Sequence, residues 1–268
     1  MSDLSNALGS LVSALFLLAS AFIYVTLIRQ IAARRSTSNA ESAKTFGWPE
    51  AILAAALVSF LLLNALAGAS QNPIRLSSRD LAANFLFTLV VVFFIAAFLK
   101  VRRLDLNSLG GFSVMSFRRA LSMGIVLLFA AYPLIALADW IVQRTYGTGS
   151  SKQGIVDLFN ESRTLEQRVL IIIVAVVIAP IAEEFIFRFF LYGVFKRYFG
   201  TALGVVFNAL LFAAVHTHLP SFAPLFVLAT CFTLAYEWSG SILVSMTMHS
   251  LFNSLTLVVL AFPEIFRQ

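Results

Sequence analysis

Along the chain, long apolar stretches alternate with short polar ones, and the apolar stretches have the length of a bilayer. About 20 mostly apolar residues, within roughly 17–25, carry a helix across hydrocarbon. Such stretches lie near residues 7–28, 50–69, 81–99 and 120–140, then near 169–195, 201–217, 222–238 and 241–262. The pattern predicts an all-α, polytopic transmembrane bundle of about eight helices. Pro49, Pro133, Pro180 and Pro224 stand where helices start or kink, which a bundle tolerates when neighbours re-satisfy the freed backbone groups.

Residues 1–268 read as a single transmembrane domain, without internal repeat, low-complexity tract or dividing linker. The longest connection, 141–168, is expected outside the membrane or along its interface. Its first part, YGTGSSKQG, reads as loop. In DLFNESRTLEQR an amphipathic helix could dip Leu158, Phe159 and Leu165 into the interface. The N-terminus has no lysine or arginine before the first apolar stretch, unlike a signal peptide, so that stretch reads as a retained helix.

Composition agrees: 60% of residues are hydrophobic and only 12% charged, too few to coat a soluble globule. The formal charge of +6 comes in short clusters between the apolar stretches. That distribution suits lipid headgroups and excludes a nucleic-acid face. Basic residues crowd the first connection (Arg29, Arg34, Arg35, Lys44), the third (Lys100, Arg102, Arg103, Arg118, Arg119) and the fifth (Lys196, Arg197). The positive-inside rule therefore places the odd-numbered connections in the cytoplasm and both termini outside. The expected location is a cell membrane, taken as the bacterial plasma membrane. One cysteine, Cys231, rules out an internal disulfide and reads as a packed thiol.

Against this background, IAEEFIFRFF at 181–190 stands out. Ionisable side chains in membrane helices are costly and face the bundle interior. Glu184 and Arg188 are four apart and can pair as a structural unit. Glu183 is then left over. The next helix brings His216 and His218, and the last brings His249 and Asn253, also four apart. At about 1.5 Å per residue, Glu183, His216, His249 and Asn253 lie roughly 20, 24, 14 and 20 Å from their nearest turns, so three helices can converge. His218 falls nearer the far side.

A carboxylate, two imidazoles and a carboxamide in a dry cavity suit peptide hydrolysis. The glutamate takes a proton from water, an imidazole holds that water, and a second imidazole and the amide donate to the oxyanion. The alternative makes the glutamate and histidines zinc ligands, although no compact zinc signature such as HExxH is present. No cofactor is firmly implied. Ser250 and Ser254 are expected to satisfy their hydroxyls on the helix backbone rather than act as nucleophiles.

Glu183-Glu184-Phe-Ile-Phe-Arg188 resembles the EExxxR motif of the CPBP family, the CAAX prenyl proteases and bacteriocin-processing intramembrane proteases. Phe212-Ala-Ala-Val-His216 is similar to its FxxxH motif, and His249-Ser-Leu-Phe-Asn253 to its HxxxN motif. The stretch Tyr236–Ser241 resembles the short turn before the family's last motif. The similarity covers roughly 165–260, and the first four helices match in general character only. The resemblance implies an eight-helix endopeptidase acting on membrane-associated or lipidated protein substrates, with a cavity open to the cytoplasm. By the same resemblance, Glu183 and His216 activate water, His249 and Asn253 stabilise the oxyanion, and Arg188 with Glu184 supports them. It also implies cytoplasmic termini, opposite to the charge count. A peptide-sized cavity holding Glu183, His216, His249 and Asn253 is expected.

Two other classes use the same residues differently. A non-catalytic membrane scaffold or bacteriocin self-immunity protein would keep the motifs for folding and have Glu183 blocked by Arg188. A proton-coupled carrier would need a passage joining both membrane faces. No oligomeric state follows from these residues.

Overall fold

Hydrocarbon offers no hydrogen bonds, so a chain this apolar must close its backbone bonds within helices. The computed structural model describes residues 2–37, 46–69, 78–147, 159, 162 and 164–261. Every regular element among them is helical. In chain order they are α1 (Ser2–Thr37), α2 (Trp48–Ala69), α3 (Ser78–Val101), the short α4 (Leu106–Gly110) and α5 (Phe117–Tyr146). Then follow α6 (residues 165–199), α7 (residues 201–215), α8 (Phe222–Ser239) and α9 (Ile242–Ala261).

By length and apolarity, seven described stretches can cross a membrane, one of them the 51 residues Leu165–Val215. As one straight helix that stretch would reach about 77 Å, against a hydrocarbon core of about 30 Å. It turns at Gly200, whose φ of 79° and ψ of 172° suit glycine alone. The turn divides the stretch into α6 and α7, and eight long helices result among the described residues, as the apolar pattern predicts. α1 is longer than expected, beginning at Ser2 and running to Thr37.

Local chemistry sets the helix ends. Glu50 folds back on the start of α2, where its Oε2 accepts the Gly47 N–H at 2.6 Å and its Oε1 accepts Arg102 Nε at 3.0 Å. Asp105 caps α4 by accepting the Asn107 N–H, and Thr164 caps α6 by accepting that of Gln167. Two π turns, Val174–Ile178 and Phe185–Leu191, interrupt α6 and bracket the α-helical Ala179–Glu184. Ser254 donates to the Ser250 carbonyl at 2.7 Å, the backbone satisfaction expected of a membrane serine.

The odd-numbered connections gather at one end of the bundle. Arg34 donates to the Trp238 carbonyl, Tyr236 Oη to that of Leu109, and Lys196 Nζ reaches Glu237 Oε1 at 2.6 Å. The basic clusters of the sequence therefore share this end. α8 runs through the middle, where Leu228, Ala229, Cys231, Phe232 and Thr233 are all buried. α2 and α3 lie outside, with residues such as Leu63 and Phe93 open to lipid. Of the 141–168 connection, Leu158 lies outside the described residues. Phe159 is buried against Ile171, Ala175 and Leu257, and Leu165 is exposed.

Gly111 joins the two halves of the basic end. Its φ is 64°, and a Cβ there would overlap the Gly240 carbonyl oxygen in the α8–α9 turn. Gly111→Ala should lower the thermal midpoint of the detergent-purified protein well beyond the roughly 1–2 kcal/mol of left-handed strain alone. Gly9→Ala, on an open helical face with nothing within 4 Å, should leave it unchanged or slightly raised.

Candidate active site

α6 presents Glu183 and Glu184 in succession, and helical geometry sends them to different surroundings. Glu184 is fully buried, as is Arg188 one turn later, and Arg188 Nη1 stands 2.9 Å from Glu184 Oε1. The guanidinium is out of line for a hydrogen bond and has no other hydrogen-bond partner among the described residues, so the contact is an ion pair by proximity. Two aromatic faces supply what hydrogen bonds do not. The Phe212 ring centre lies 4.4 Å from Arg188 Cζ and that of Phe232 5.3 Å. A desolvated cation–π contact contributes about 2 kcal/mol. Two of them offset only part of the several kcal/mol that burying each ion costs, which leaves Glu184 indispensable.

The same Glu184 Oε1 faces His249 Nδ1 at 2.9 Å. A carboxylate accepts only, so Nδ1 carries a proton; the neutral ring then offers Nε2 as an acceptor, and the imidazolium offers Nε2–H as a donor. That Nε2 lies 3.8 Å from Glu183 Oε2. The ring itself is held by Phe232, 5.2 Å away between centroids, and by Phe212 edge-on at 5.9 Å. His216 is fixed by the same logic. Its Nδ1 donates to the Phe212 carbonyl at 2.7 Å and its ring lies 4.6 Å from that of Phe212, so its Nε2 is also free to accept. Phe212 thus touches Arg188, His216 and His249 at once.

Glu183 is different in kind. About a quarter of its side chain (27%) is uncovered by protein, and Arg188 is engaged by its neighbour, not by it. Oε2, itself buried, has no hydrogen-bond partner among the described residues. Asn253, one turn beyond His249, donates Nδ2 to the Ala175 carbonyl at 2.8 Å, on the first π turn of α6. His218 stands apart, its Nδ1 on Ser221 Oγ at 2.8 Å. Glu183, Glu184, Arg188, His249 and the Phe212 end of α7 therefore form one cluster, with His216 and Asn253 at its edges.

Two apolar cavities, of about 310 and 430 Å³, flank α2. One is lined by residues including Phe60, Phe87 and Phe94, the other by residues including Leu62, Phe207 and Phe222. Neither is lined by Glu183, His216, His249 or Asn253, so neither is the peptide-sized cavity expected there. Among the described residues no three His, Cys, Asp or Glu side chains group as metal ligands. Of the zinc alternative's donors, Glu183 Oε2 and His249 Nε2 face each other at 3.8 Å, and no third such donor joins them as a group among the described residues.

Sequence reasoning missed Phe232. Nothing marks it among 27 phenylalanines, and its role exists only through the Arg188 and His249 contacts.

Residues 165–255 match a family model described as Rce1-like: Type II CAAX prenyl endopeptidase Rce1-like. The match covers about a third of the 268-residue chain and includes all three motifs. No curated protein matches the chain, and no solved structure does.

Removing either partner of the buried pair strands a charge, so Glu184→Ala or Arg188→Ala should cost about 3–5 kcal/mol in thermal or denaturant unfolding. Phe232→Leu keeps the bulk but removes the ring face and should cost about 2 kcal/mol. Glu183→Gln should leave stability nearly unchanged. Equal losses for all four would mean that no side chain in the cluster is set apart.

Proposed function

We propose that this chain is an intramembrane endopeptidase of the CPBP type, hydrolysing peptide bonds of membrane-associated or lipidated proteins with water activated by Glu183. The observation that carries this reading is the division between the two glutamates. Glu184 is consumed by Arg188 and His249, while Glu183 is partly uncovered and its Oε2, with no hydrogen bond among the described residues, lies 3.8 Å from His249 Nε2. The match of residues 165–255 to a CAAX endopeptidase family model supports the reaction class.

In this mechanism Glu183 takes a proton from a water as its oxygen attacks the scissile carbonyl. His216, with Nδ1 donated to Phe212 and Nε2 free to accept, orients that water. In the imidazolium form His249 donates Nε2–H toward the oxyanion, and Glu184 balances the ring's charge through Nδ1. Collapse of the tetrahedral intermediate returns the water's proton from Glu183 to the leaving amine. Arg188 and the two phenylalanines hold this arrangement without touching the substrate.

A non-catalytic scaffold or self-immunity role is the second reading, favoured by the fully buried ion pair and by Asn253 bonding backbone. Two further features would favour it: Glu183 blocked by Arg188, which stands on Glu184 instead, and no water-accessible cavity at Glu183, which lines neither of the two apolar cavities.

The experiment compares membrane-peptide termini in cells carrying the intact protein or Glu183→Gln at matched folded abundance. New termini that need Glu183 are expected, and cleavage of those peptides by purified protein should fall about 10²–10⁴-fold in the variant. Identical termini with both proteins folded and abundant would move the assignment to the scaffold.

A further inference from the structure

The HxxxN pair carries a second relation that the reaction scheme does not use. α6 and α9 meet at two points one turn apart on α9, with His249 on Glu184 and Asn253 on the Ala175 carbonyl. The acceptor at the second point is unusual. In the first π turn the Ala179 N–H bonds back to the Val174 carbonyl. The next carbonyl in that five-residue register, Ala175, would take the N–H of residue 180, which is Pro180 and has none. A helix in hydrocarbon cannot leave that oxygen to water. Asn253 Nδ2, at 2.8 Å, is the donor it receives.

We propose that Asn253 is a positioning residue that holds the first π turn of α6 and so sets the rotational phase of Glu183 and Glu184. A π turn holds one residue more than the α-helical path. Losing it would rotate the following residues by about 100°. Glu184 would leave His249, and Glu183 would leave the side from which His249 Nε2 faces it. Pro180, the π turn and Asn253 form one device, and the four-residue spacing from His249 places both holds on one face of α9. The effect on activity rests on the proteolytic reading. The effect on stability does not.

Pro180→Ala restores an N–H at residue 180 and separates the possibilities. In the full-length protein in detergent, Asn253→Ala alone should lower the thermal midpoint by several degrees. In the Pro180→Ala background the same substitution should cost less than half as much, the non-additivity expected of groups sharing one partner. Cleavage lost with Asn253→Ala should recover by about tenfold or more in the double variant. Additive midpoint losses would overturn the proposal. So would an inactive Asn253→Ala with an unchanged midpoint and no rescue, because such a residue touches the reacting carbonyl. If the wild type cleaves nothing, the endopeptidase reading fails and the midpoints still decide. If Pro180→Ala does not fold, Asn253→Leu replaces it, since leucine keeps the shape and has no donor, whereas an aspartic acid in a dry site would still donate O–H. Its midpoint should fall by several degrees, and an unchanged midpoint overturns the proposal.

Discussion

A buried guanidinium without a hydrogen-bond partner among the described residues must find its compensation in other forms, and the second half of this protein is arranged around that need. Arg188 is fully buried, balanced by one carboxylate oxygen and enclosed by two ring faces. Glu184 must face inward to meet it, Phe212 must come from α7, and Phe232 from α8. Three helices are tied together at one charge. Helices in lipid gain little from apolar contact alone, so such polar and aromatic contacts specify how they associate.

The proposed chemistry follows from what this arrangement leaves over. Glu184 Oε1 serves Arg188 and His249 together, which fixes the His249 tautomer and directs Nε2 toward Glu183. Phe212 does the same for His216 through its backbone carbonyl. Glu183 is then the one carboxylate of the cluster that structure does not consume. Adjacent identical residues differ in role because the helix turns between them.

The sequence shows the bundle because hydrocarbon thickness fixes helix length, and α2, α3, α8 and α9 begin and end within a few residues of their apolar stretches. Gly200 could be read as a turn because a 51-residue, largely apolar stretch cannot lie straight across a bilayer. Glu184 and Arg188 could be paired from a spacing of four. The role of Phe232 was illegible, since a phenylalanine on an apolar helix differs from its neighbours only in what it touches across the bundle. The Asn253–Ala175 bond was illegible too. Pro180 signals a missing N–H, but which carbonyl goes unpaired depends on a π register that no periodicity announces. Neither apolar cavity could have been located from sequence, because each is bounded by side chains of separate helices that meet only in the folded bundle.

The central claim is that the two adjacent glutamates have separate fates, one sealed in an ion pair and one available to react. A membrane-soluble carbodiimide, which modifies carboxyl groups within reach of lipid, tests it in the wild-type protein in native membranes. Fragment-ion mass spectrometry assigns the adduct within residues 181–190. The expected result is an adduct on Glu183 and none on Glu184 until the protein is denatured. Modification of Glu184 in the folded protein at a rate equal to or above that of Glu183 would contradict the account.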